Sequence, residues 1–268
     1  MSIVTISRGS YSRGREVAEK VAKALNYECI SRDILIETSE QFNIPEIRLV
    51  RAIHDAPSIL ERFTYGKEKY VAYIRAAFLK HAQKDDMVYH GIAGHFFLQG
   101  IPHTLKVRII AEMETRVKEE MKRENISEQE ARYILKKDDD ERRKWGIALY
   151  GADTWDAKLY DLVFHIDTMA VGDAVDMILY ALKRPCFQTT PESQRLVDNL
   201  ALAAQVKAAL IEEFPAVDVS AKDGTAWIHM KIPLSQEKSI TERAKSIAAV
   251  VPGVRDVDVH ISPIMFED

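Results

Sequence analysis

The chain is poor in the features that mark exported and membrane-spanning proteins. Only two cysteines, Cys29 and Cys186, occur in 268 residues, too few for a disulfide framework, which points to a reducing compartment. No stretch reaches the roughly 18 uninterrupted apolar residues of a membrane helix. The amino terminus enters "SIVTIS" with no basic segment followed by an apolar run, so no signal peptide is expected. An excess of one charge is also missing: 37 Lys and Arg against 41 Asp and Glu leave a formal net charge of −4. On that balance neither nucleic acid nor an anionic membrane is an expected partner, and any anion site must be local. A cytoplasmic protein without a transmembrane segment is the expectation. What the chain does have is 47% hydrophobic and 29% charged residues, a composition that excludes wholesale disorder and leaves room for one large or two smaller domains.

Periodicity divides the first two thirds into strands and helices. Ile3, Val4 and Ile6 form a β-rich run, a glycine-bearing loop follows, and Val17, Val21, Ala24 and Leu25 then recur at helical spacing. "YECI", "MVYHGIAG", "TLKVRIIA" and "YDLVFHID" read as further strands. Residues 33 to 84 read as several helices, one starting at Asn43-Ile44-Pro45-Glu46, and "VGDAVDMILYALKR" as an amphipathic helix closing the unit. Strands alternating with helices imply an α/β fold with a parallel sheet.

The loop Gly9-Ser10-Tyr11-Ser12-Arg13-Gly14-Arg15-Glu16 has the glycine spacing of a phosphate loop. Such loops work because glycines let backbone N–H groups approach phosphate oxygens at a helix N-terminus, where the dipole favours an anion. Here Arg15 stands in the lysine position and supplies a bidentate fork, whereas Glu16 cannot supply the usual magnesium-binding hydroxyl. The spacing alone fits an ordinary glycine-rich turn equally well.

The stretch "ISRGSYSRGREVAEKVAKALNYECISRDIL" resembles the opening of the cytidylate kinase-like proteins, P-loop relatives of nucleoside monophosphate kinases, through Ser7, Arg8, Ser12, Gly14, Arg15, Glu16 and Ala18. In that family a loop ending in Arg-Glu is normal. The similarity continues through "LKVRIIAEMETRVKEEMKRENISEQEARYILKKDDDERRKW", with its Asp-x-x-Arg at Asp139 and Arg142, and through "LYDLVFHID". It covers about residues 1 to 183, interrupted mainly between 38 and 85. The resemblance implies a P-loop kinase-like parallel sheet flanked by helices. It also implies ATP or another nucleotide held by residues 9 to 16, and magnesium if the protein is active.

Three departures touch the implied contacts. The family's inner loop glycines correspond to Tyr11 and Arg13, which restrict the backbone. The acid often found after the second strand corresponds to Ser31, with Arg32 and Asp33 close by as candidate substrate-binding residues. After the third strand Gly91 is kept, but Ile92 replaces an arginine. His90 beside it is a candidate donor in the arginine's place, because α/β sheets bind ligands at the carboxyl ends of their strands. For His95 packing and function are equally open readings. The spacing of the two histidines lacks a third metal ligand, so no metal site is assigned.

Between Glu112 and Lys144 the pattern is helical and densely charged. Most of these side chains read as a solvated face with i,i+4 pairs. The resemblance singles out Arg132, Arg142 and Arg143, and less firmly Arg116, as arginines that close over phosphates, where preorganised positive charge lowers the barrier to phosphoryl transfer. Arg15, Arg132, Arg142 and Arg143 are the candidate catalytic residues. "HDAPSILERFTYGKEKYVAYI" gathers Arg62, Lys67, Lys69 and several aromatics, compatible with an acceptor contact and equally with an amphipathic helix pair.

"PCFQTTPES" is the best linker candidate, with two prolines and three hydroxyl residues in nine. Beyond it come a helical run, two alternating runs joined at Asp223-Gly224, a second helical run and the alternating "VRDVDVHIS". Asp-Gly between alternating runs is a strong hairpin signal. This α-β-β-α-β module resembles a BON domain through Val217, Val219, Asp223-Gly224 and Pro252-Gly253-Val254. The expected organisation is a kinase-like domain over 1–184, a linker over 185–191 and a small α+β BON-like domain over 192–268, whose ligand is not readable and which makes a homodimer plausible. Two functional classes follow. One is a kinase passing a phosphoryl group from ATP to a nucleoside monophosphate or other small acceptor. The other is a catalytically weak nucleotide sensor signalling through its C-terminal module.

Overall fold

The computed structural model describes residues 1–9, 12–31, 33–42, 66–91, 93–233 and 236–263, without the side chains of residues 33, 35, 66–68 and 263. The helix expected from Asn43 lies outside these residues. Five parallel strands form the first sheet in the order β2-β3-β1-β4-β5: β1 (Ile3–Arg8), β2 (Glu28–Ile30), β3 (Met87–Tyr89), β4 (Thr104–Ala111) and β5 (Leu162–Ile166). Parallel strands need crossovers, and these carry α1 (Gly14–Leu25), α2 (Asp33–Phe42), α3 (Gly66–Ala82), the single turn α4 (Gly94–Phe97), α5 (Met113–Glu124) and α6 (Glu128–Tyr150). The unit closes with α7 (Val171–Leu182). No described helix is long and apolar enough to cross a membrane.

Both faces of a parallel sheet are buried, so its strands read as near-continuous apolar runs. Val4 and Ile6 of β1 pack with Val17, Val21 and Ile178 from α1 and α7. Ile3 points the other way, into a core built from Phe78, Leu79, Tyr89, Phe97 and Trp145. The helical run from Glu112 is two helices, because Asn125 takes a left-handed conformation at the end of α5 and Ser127 opens α6 with a capping box to Glu130.

After a short 3-10 turn at Pro185–Phe187 comes α8 (Pro191–Leu210), begun by Pro191 at its first turn and by Thr190, whose hydroxyl accepts from Ser193 N–H at 3.1 Å. The connecting residues are docked: Thr189 N–H donates to Met1 O at 3.0 Å and Thr189 Oγ1 to Asp85 Oδ2 at 2.5 Å. A second sheet follows, ordered β6-β7-β8: β6 (Asp218–Lys222), β7 (Thr225–Ile232) and β8 (Asp256–Pro263), with α9 (Glu237–Ala249) crossing from β7 to its parallel neighbour β8. β6 and β7 form the expected hairpin, Asp223 and Gly224 both at positive φ, 48° and 84°, as a type I′ turn requires.

The helix α8 belongs to two cores. Its Val197, Ala201, Ala204 and Ala208 pack into the first core with α3, while Val206 and Leu210 turn towards Ile228, Met230 and Ala244 of the second sheet. Tyr73 on α3 adds a hydrogen bond to Glu212 Oε1 at 2.7 Å, just beyond the end of α8, where Lys69 also pairs with Glu212. A defect in α8 facing α3 should therefore weaken both layers. Val197, fully buried, is the test: Val197→Ala is expected to cost about 2 kcal/mol, read by urea unfolding as one shifted transition rather than a shift confined to one phase.

Candidate active site

β1 ends at Arg8 and α1 begins at Gly14, so Gly9, Ser12 and Arg13 lie at the carboxyl edge of the sheet, at the strand where its order reverses. Ser12 is buried and ties the loop to itself, its hydroxyl donating to Gly9 O at 3.0 Å. Arg13 takes the left-handed conformation, φ 62° and ψ 11°, as the residue before α1. The glycine conformation of the loop is thus kept by an arginine, at a cost of roughly 1 kcal/mol. Gly14 allows no side chain, since a Cβ there would lie 2.7 Å from Arg8 Cβ. Ser10 and Tyr11 lie outside the described residues.

Two helices close over this loop. Arg116 of α5 and Asp139 of α6 form a bidentate pair at 2.8 and 2.9 Å, with side chains only 8% and 15% exposed. Their contact point is Gly9, where a Cβ would lie 3.4 Å from Arg116 Cζ and 3.5 Å from Asp139 Oδ1. One turn further along α6, Arg142 Nη1 donates to Arg8 O at 3.2 Å. Gly9, Gly14, Arg116, Asp139 and Arg142 therefore converge at the head of α1.

The remaining candidate arginines are held elsewhere. Arg15 turns along α1 to Glu19, 2.7 Å away, with 72% of its side chain exposed, and Glu16 pairs in the same way with Lys20. Arg132 grips Glu114 and Glu128 at 2.6 to 3.0 Å, which raises its own pKa and lowers that of Glu114. Arg143 chelates Asp153 and lies over the Trp155 ring, 4.8 Å from its centre, holding the Asp153 carboxyl below its ordinary range. Arg132 ties α6 to Glu114 of α5, and Arg143 braces the chain after α6.

At the end of β3, buried His90 donates its backbone N–H to Ile30 O at 3.0 Å. Gly91 and Gly94 make room for Tyr89: a Cβ on either would come within 2.3 or 2.5 Å of its side chain. Arg32, Ile92 and the Asp33 side chain lie outside the described residues, as do Arg62 and the Lys67 side chain.

A polar cluster beside the loop went unread in the sequence. Tyr160 donates to Thr154 O at 2.9 Å and lies 3.2 Å from Ser7 Oγ, while Arg108 Nη1 reaches the Tyr160 hydroxyl at 3.2 Å. The available signal was Arg108 itself, a cation on the strand run "TLKVRIIA". His95 packs 5.1 Å from the Tyr160 ring and 4.0 Å from Phe96. Burial, reinforced by the Arg108 and Lys106 cations, pushes its imidazole down to about 4, so it is neutral at pH 7.

A parallel sheet in this order, with a glycine-spaced loop running from its middle strand into a helix, defines a P-loop kinase-like fold. The chain belongs to the cytidylate kinase-like family, whose profile matches residues 3–168. The crystal structure of an uncharacterized protein from Eubacterium ventriosum is similar over 69% of this chain and 100% of its own, at 23% identity and a TM-score of 0.54. More distant likenesses include shikimate kinase from Acinetobacter baumannii in complex with shikimate, at 14% identity, 68% and 93% coverage and TM-score 0.39. YorR protein from Bacillus subtilis in complex with phosphorylated GDP is similar at 14% identity, 70% and 100% coverage and TM-score 0.40. No curated protein matches the chain.

His95 also sets a pH dependence. Unfolded, the imidazole titrates near 6.5; folded, it stays neutral down to about 4. Stability present above pH 6.5 is therefore lost as pH falls towards 4, by up to ~1.4 kcal/mol per pH unit. Urea titrations at pH 7, 6, 5 and 4 should show a flatter profile over that window in His95→Gln than in the parent; parallel profiles would contradict the assignment.

Proposed function

We propose that the protein binds ATP or another nucleotide with its phosphates at the head of α1, and passes a phosphoryl group to a nucleoside monophosphate or other small acceptor. The observation that carries this reading is the convergence of the α1 N-terminus, Gly9, the Arg116–Asp139 pair and Arg142. A phosphate suits this place because the helix end offers N–H groups to an anion. Among the described residues no group of three or more His, Cys, Asp or Glu side chains is placed to hold a metal ion. Magnesium would arrive with the nucleotide, where it neutralises phosphate charge.

The protein's own contribution is positioning and charge. Asp139 holds the Arg116 guanidinium beside Gly9, so its charge is placed before a phosphate arrives. Arg142, tied to Arg8 O, brings the middle of α6 to the same edge. As the acceptor oxygen bonds to the γ-phosphorus and the bond to the bridging oxygen breaks, negative charge spreads over the phosphoryl oxygens, and fixed guanidinium groups favour that state over the ground state. Arg15 would have to leave Glu19 to join them, an exchange of one exposed pair for a phosphate contact. His90 and Gly91 lie at the end of the neighbouring strand, where an acceptor would lie.

A second reading, a nucleotide sensor with little turnover, is favoured by α8, which joins the core under α3 to the C-terminal sheet. We read that sheet and its helices as a BON-like domain over 192–268, joined to a kinase-like domain over 1–184, and able to support a homodimer.

Calorimetry separates these claims. Arg116→Ala is expected to weaken ATP binding at least tenfold, the worth of one charge-assisted hydrogen bond, with Arg15→Ala producing a smaller loss. Equal affinity in the parent and both variants would remove the phosphate-loop assignment. A coupled assay with ATP, magnesium and a panel of nucleoside monophosphates then decides the class: turnover supports the kinase, tight binding without turnover the sensor.

A further inference from the structure

A second concavity lies far along the chain from the loop between β1 and α1. It encloses about 630 Å³ where the end of α3 meets α8 and two turns of the C-terminal sheet, Asp223-Gly224 and Pro252-Gly253. That volume falls in the range of small-molecule sites. Its wall is as much apolar as polar and carries three cations, Lys80, Arg195 and Arg255, against two carboxylates, Asp198 and Asp223.

The two arginines are unlike those elsewhere in the fold. Arg116, Arg132, Arg143 and Arg243 each hold a carboxylate. Among the described residues Arg195 has no hydrogen-bonding or ionic partner, and Arg255 is bound only to a backbone oxygen, donating from Nη2 to Asp223 O at 2.8 Å. Asp198 does not answer them, being engaged by Gln83 and Gln194 amides at 3.2 and 3.3 Å, and Lys80 is paired with Glu37. Two guanidinium charges without an ion pair thus face one cavity.

The position of Arg255 is built into the backbone. Its side chain lies across Gly224, where a Cβ would displace the guanidinium from the turn, and the φ of 84° there favours glycine. The turn itself is held to α8 by Asp223 N–H donating to Asn199 Oδ1 at 2.8 Å, and Arg255 N–H donates to Gly224 O at 2.7 Å. An arginine fixed in this way loses less conformational entropy on gripping an anion, and its planar fork suits phosphate and carboxylate oxygens.

We propose that this cavity is a binding site for a small polyanion, a molecule with at least two phosphate or carboxylate groups, gripped between Arg195 and Arg255. Such a ligand bridges α8, which lines the core under the kinase-like sheet, to both turns of the C-terminal sheet, so its occupancy stabilises the junction of the two sheets. The proposal stands independently of nucleotide binding at α1.

Inorganic pyrophosphate is the probe, titrated calorimetrically into the full chain at about 0.15 M salt, where long-range surface attraction is screened within roughly 8 Å. Two sites are expected. Arg195→Ala combined with Arg255→Ala should weaken one of them at least tenfold and leave the other, while Arg116→Ala should do the reverse. Both arginines of the cavity are exposed, and unchanged circular dichroism and thermal midpoint without pyrophosphate would show the double variant folded. Citrate, which shares the charge but lacks phosphorus, tests the source: binding abolished by the double variant marks a site for polyanions generally, and binding of pyrophosphate alone a phosphate site. If the double variant binds both probes as the parent does, the proposal is overturned. Loss of the Arg116-sensitive site alone would count against the loop at α1 and leave the cavity standing.

Discussion

The site depends on one ion pair. Arg116 and Asp139 come from consecutive helices, α5 and α6, and meet over Gly9 with little exposure to water. A pair this buried is poor evidence of stability, because desolvation opposes much of the attraction. Its consequence is geometric: it fixes a guanidinium against the loop between β1 and α1, and it fixes α6 so that Arg142 reaches Arg8 O. Removing either partner leaves a charge at the edge of the sheet without this partner and leaves α6 held to the loop by Arg142 alone among the bonds described.

The pair can do this because glycine is kept where space decides and given up where only conformation does. Gly14 lies under Arg8, and no side chain fits there. Arg13 has the glycine-like backbone without the glycine, a local strain held by the Ser12–Gly9 bond on one side and by the first turn of α1, Val17 N–H to Arg13 O at 3.1 Å, on the other. Such strain is kept where surrounding structure over-determines it, which is the condition a phosphate loop needs in order to hold N–H groups in place before a ligand arrives.

Much of the fold is legible in the sequence. "TLKVRIIA" coincides with β4 from its first residue to its last, since strand alternation and the polar residues at its ends act locally. The Asp223-Gly224 hairpin is equally local. The division of "METRVKEEMKRENISEQEARYILKK" into two helices is less visible, because charge density masks the left-handed Asn125 and the Ser127 cap. The double use of α8 cannot be read at all: the run is legible as a helix, but not that Val197 and Ala204 pack into one core and Val206 and Leu210 into another. At the site, spacing places Arg15 at the head of α1 but not the i,i+4 partner that turns it outward. Arg132 and Arg143 belong to the same charged run as Arg116 and Arg142, and only tertiary structure separates the pair that meets the loop from the pair that braces the helices.

The central claim is that residues 12 to 17 form a preorganised phosphate cradle closed by α5 and α6. Hydrogen exchange of those backbone amides, with and without saturating ATP, tests it most directly. The account predicts slower exchange with ATP at the first turn of α1 and in α6 around Asp139 and Arg142. Unchanged exchange at both places, at ATP concentrations where calorimetry detects binding, would contradict it.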